Sequence, residues 1–165
     1  MARRNKPRPP VERVGDQFVI NLGTDERELV SRLLGELRDL LLGATDQPLL
    51  RRMFPPAYHL ADDADADAEY QRLMHDDLVA SRLAAISGVL AVLGNADATR
   101  RVDEEGLIAL MQALNALRLV LGTLLDVSEE DHPDDIDDDD PLVGEYHLYG
   151  YLSYLLDEAV DALTG

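Results

Sequence analysis

The stretch DEEGLIALMQALNALRLVLGTLL, residues 103–125, decides the architecture. Asp103 can cap a helix whose first turn carries Glu104 and Glu105, where acidic groups are favoured by the helix dipole. Leu107, Ile108, Leu110, Met111, Leu114, Leu117, Val120, Leu121, Leu124 and Leu125 then recur too densely for one narrow face. A helix apolar over most of its circumference belongs at the centre of a bundle, with partners on several sides.

Its partners are found on either side of it in the chain. Thr24 can cap a helix over 25–42 that ends before Gly43, with Leu29, Val30, Leu33, Leu34, Leu37, Leu40 and Leu41 on one stripe. The acidic segment from Asp62 to Glu69 leads into the longest helix, whose apolar positions run from Tyr70, Leu73, Met74 and Leu78 to Ile86, Val89, Leu90 and Leu93. Gly94-Asn95 closes it, and Gly88 is a candidate kink. After Pro141 a terminal helix carries Tyr146, Tyr149 and Tyr151 among leucines. Pro48 can open a short turn through Met53, which Pro55 and Pro56 then stop.

Ahead of the helices, Val11–Val14 and Gln17–Leu22 are β-prone runs separated by Gly15-Asp16, a pair suited to a tight turn. The expectation is a mainly α protein, a compact bundle of four to five helices with a small N-terminal β-hairpin. Residues 1–10 form a flexible basic tail with Arg3, Arg4, Lys6 and Arg8. Residues 11–165 form a single domain that includes a mobile acidic loop at 129–140, where nine of twelve side chains are acidic.

Composition narrows function by exclusion. With no Cys in its 165 residues, the chain offers no disulfide, thiolate metal site or thiol switch. The formal net charge of −18 repels polyanions, so nucleic acid is expected only weakly, through the basic tail. The start MARRNKPRPP lacks the apolar stretch of a secretory signal, and no window is expected to approach a membrane span; a cytoplasmic location follows from that reading.

No motif supports an enzyme. Asp63-Ala64-Asp65-Ala66-Asp67 superficially resembles a calcium loop, but its sixth position is Ala68 and its twelfth Met74. His59, His75, His132 and His147 show no paired spacing, and there is no phosphate-binding glycine loop or serine elbow. No cofactor or metal is expected. Three surfaces stand out instead. Arg51 and Arg52 beside Phe54 and Tyr58 make a basic, aromatic edge, the acidic loop at 129–140 can dock on a basic protein surface, and Tyr146, Tyr149 and Tyr151 form an aromatic patch near the last helix. Against each stands a plain reading, exposed arginines over a structural loop, a solvated acidic loop, and tyrosines packed in a core.

The order of the early hairpin and helix, LRRMFPPAY at 50–58, LNALRLVLGT at 114–123 and the closing Tyr-Leu helix resembles an actinobacterial family first described as a domain of unknown function and associated with the oxidative-stress transcriptional regulator AosR. The resemblance implies a cytoplasmic regulator that contacts a sigma factor or another transcription component, and it brings no catalytic residue. Asn115 and Arg118, polar within an apolar helix, are expected to satisfy polar groups inside the bundle, for example a facing carboxylate. The alternatives are a weak DNA-binding regulator using the tail, and an adaptor of a protease or chaperone. A homodimer through exposed Leu or Tyr is a further option.

Overall fold

The computed structural model describes residues 7–43, 48–50, 53, 64–94, 100–125 and 139–165. Four helices pack together beside a small three-stranded antiparallel sheet. The helices are α1 (Thr24–Leu42), α2 (Ala64–Leu93), α3 (Glu104–Leu125) and α4 (Val143–Thr164), with a short 3-10 turn at Pro48–Leu50. The mainly helical class expected from periodicity is the class observed.

The hairpin pairs β1 (Val11–Val14) with β2 (Gln17–Ile20), Val11 opposite Ile20 and Val14 opposite Gln17. Gly15 turns the chain at φ +68°, a left-handed conformation that glycine adopts without steric cost. A third strand, β3 (Arg101–Val102), lies on the other side of β2, with Phe18 opposite Val102. Sequence reading missed it, since two residues are too few for any alternation to show.

Helix α1 corrects the expected cap. Thr24 is the first helical residue and Gly23 the cap; the Glu26 carboxylate reaches back to accept the Gly23 N–H at 3.2 Å. Asp103 behaves as expected at the start of α3, its Oδ1 accepting the Gly106 N–H at 2.8 Å. Gly106 is required there for another reason: a Cβ on it would lie 2.8 Å from the Val102 Cβ, so the first turn of α3 can approach β3 only without a side chain.

Helix α3 is the centre, in contact with α1, α2, α4, the 3-10 turn, β2 and β3. Leu107, Leu110, Leu114 and Leu117 are buried on it, joined by Val30, Leu34, Leu37 and Leu41 of α1, Ile86, Val89 and Leu93 of α2, and Leu152, Leu155 and Ala159 of α4. Phe18 and Ile20 close the core from the sheet. By length and composition α3 is also apolar enough to cross a membrane, which corrects the expectation that no window would be; its neighbours on several sides account for the apolar side chains that are buried.

Candidate interaction surface

Two antiparallel partners, α3 and α4, build the face on which the aromatic patch falls. Arg118 leaves the apolar pattern of α3 and lies half-buried against α4. Its Nε donates to the Ser153 hydroxyl at 2.8 Å, its guanidinium stands 5.4 Å from the centre of the Tyr149 ring, and it donates to Asn115 Oδ1 at 3.4 Å. Ser153 in turn donates to the Tyr149 carbonyl at 2.9 Å. The expected facing carboxylate is thus replaced by a hydroxyl and an aromatic face. A cation over a tyrosine ring is electrostatically favourable, and a guanidinium is hydrated weakly enough to lie there.

Tyr146 is half-buried one turn earlier, its hydroxyl donating to the Leu125 carbonyl at 3.4 Å, where it meets the end of α3. Tyr146 and Tyr149 of the predicted patch therefore lie on the α3–α4 seam with intramolecular partners, whereas its third member, Tyr151, turns toward α1. Another predicted surface, Arg51, Arg52, Phe54 and Tyr58, lies outside the described residues, as does most of the acidic stretch at 129–140.

Asn115 joins the polar seam to an open depression of about 320 Å³ lined by Ile108, Met111, Gln112, Asn115, Leu156 and Val160. Ile108 and Val160 are exposed on it. Sequence reading placed α3 at the centre without singling out this side; the signal available was the crowding of apolar residues all round that helix. Two further cavities among the described residues are lined by apolar residues. One of about 90 Å³ between the sheet, α2 and α3 is lined by Ile20, Gly88, Val89, Val92, Val102, Gly106, Ala109 and Leu110, with no side-chain polar atom.

Across the bundle, Tyr151 of α4 faces the Glu26 carboxylate that caps α1. Burial first, and then that neighbouring negative charge, pushes its pKa up to about 12. Its hydroxyl is shut off from solvent and therefore stays protonated, as a structural contact at the junction of α1 and α4. Among the described residues no three of His, Asp and Glu gather as metal ligands would.

The chain matches, over residues 8–163, the family described as Domain of unknown function (DUF2017). It belongs to that family. No curated protein and no solved structure matches it. The DUF2017 match runs from just before the hairpin into the last turn of α4, so the sheet, α1, α2, α3, all but the last residue of α4 and the α3–α4 seam lie within the family domain.

Proposed function

We propose that this DUF2017 protein is a regulator that acts by protein–protein contacts, contacting a sigma factor or another transcription component in a stress response. The observation that carries the reading is the open apolar depression of Ile108, Met111, Leu156 and Val160, bordered by the Asn115–Arg118–Tyr149–Ser153 seam. Apolar patches rimmed by ordered polar groups are the places where soluble proteins meet partners. A net charge of −18 favours approach by a basic protein surface and opposes a polyanion.

The resemblance to the AosR-associated family supplies the transcriptional part of the reading. With no cysteine in the chain, any thiol-based switching has to be supplied by its partner. The test is crosslinked affinity purification of the tagged protein from its own host, with and without oxidative stress. Recovery of RNA polymerase or a sigma factor, reduced by Met111→Glu in the depression, is the expected result. A protease or chaperone alone would replace this reading with an adaptor, and a wild-type bait that retains no specific partner would defeat it.

A further inference from the structure

We propose that the first half of α2 is a docking arm for a basic amphipathic helix of a partner protein, with Asp77 holding one of that helix's cations; the proposal rests on reading the chain as a binding protein. At 1.5 Å per residue α2 is about 45 Å long, against about 33 Å for α3 and about 28 Å for α1. Among the described residues its buried apolar side chains, Ile86, Val89 and Leu93, all fall in its second half. In the first half Tyr70 is 63% exposed, Leu73 58%, Met74 45% and Leu78 40%.

Those four residues occupy positions i, i+3, i+4 and i+8, one stripe of a helix. The remaining place in the pattern, i+7, is Asp77, also exposed. A carboxylate set into an apolar stripe discriminates among occupants. A purely apolar cover would have to bury the charge unpaired, at a cost of several kcal/mol on the scale of buried ions. A second copy laid on the stripe would bring acid to acid, because Glu69 and Asp76 are exposed on the same arm. A helix that alternates apolar side chains with Lys or Arg satisfies both requirements: its apolar residues cover Tyr70, Leu73, Met74 and Leu78, and a cation meets Asp77.

The arm's remaining chemistry agrees. Arg72, at i+2, falls on the opposite face of the helix and so does not compete for Asp77. Tyr and Met are favoured at partner surfaces, Tyr for its large, rigid area and Met for a side chain that adapts to an incoming shape. The overall negative charge speeds the approach of a cationic segment.

The test titrates the full chain with a synthetic amphipathic helix of leucine and lysine, and with a leucine–glutamate peptide of the same pattern, by calorimetry. Binding of the lysine peptide only is expected, weakened at least about tenfold in a Leu73→Gln, Met74→Gln double variant and about threefold in Asp77→Asn, with thermal unfolding unchanged in both. The proposal is overturned by failure of the lysine peptide to bind, by equal binding to all variants, or by a lower Tm in the double variant, which would show that the chain itself covers the stripe. A dimer abolished by the double variant would assign the stripe to a second copy and overturn it as well. Using the double variant as bait separates the two readings: a transcription partner still recovered would defeat the arm and leave the regulatory role standing, whereas peptide binding with no partner recovered by the wild type would do the reverse.

Discussion

The two halves of α2 are one continuous helix whose apolar residues turn to different faces and meet opposite surroundings. In the second half Ile86, Val89 and Leu93 are buried as α2 packs on α1 and α3; in the first half Tyr70, Leu73, Met74 and Leu78 form a separate stripe that faces solvent. The difference teaches what periodicity reports. Apolar residues at three- and four-residue spacing state that a helix has a face to cover, and they are silent on what covers it. In the second half the cover is this chain's own core. In the first, Asp77 at the centre of the stripe marks a face that an apolar core would not accept.

A pair of truncations, one in each half of α2, has the largest expected effect. Ile86→Ala removes a fully buried side chain and is expected to cost about 2–5 kcal/mol in chemical denaturation. Its counterpart, Leu73→Ala, belongs to the small end of the scale and is expected to stay within about 0.5 kcal/mol of wild type, as exposed positions do. Similar losses at the two sites would show that the halves do not differ.

Between those extremes lie two changes that sharpen the account of the buried half. Asp103→Ala removes the side-chain cap of α3, a helix on which α2 packs, and should cost about 1 kcal/mol, with Asp103→Asn largely preserving stability. Gly88→Ala should instead stabilise by about 0.5–1 kcal/mol, because a Cβ there meets nothing within 4 Å and alanine is the better helix former. A loss at Gly88 would mean that α2 needs glycine at this point, as the expected kink would imply; the helix observed is continuous from Ala64 to Leu93.

Much of the fold was legible because local chemistry and periodicity agree. Asp103 caps α3, Gly43 follows α1, Gly15 turns the hairpin, and the all-round apolar character of 107–125 announced the central helix. Thr24 misled because two adjacent residues could serve as cap, and the reach of Glu26 back to the Gly23 N–H decided between them. β3 was illegible because a two-residue strand exists only through its pairing with β2, a contact between residues more than eighty positions apart.

The candidate surface was legible in parts. Tyr146 and Tyr149 could be seen as an aromatic group near the last helix, and Arg118 as a polar residue needing a partner. Which groups meet is a property of the α3–α4 pairing: Ser153 and the Tyr149 ring take the place of the carboxylate expected for Arg118. The depression beside them joins residues from two helices nearly fifty positions apart, Ile108 and Leu156, and neither helix's own pattern outlines it.

Hydrogen–deuterium exchange along α2 separates its two halves in one experiment. Amides of residues 86–93 are expected to exchange only with global unfolding, those of 70–78 orders of magnitude faster in the free protein, and the leucine–lysine peptide to protect the second group alone. Equal, slow exchange along the whole of α2 in the free protein, or a first half that gains no protection from the peptide, would contradict this division of α2.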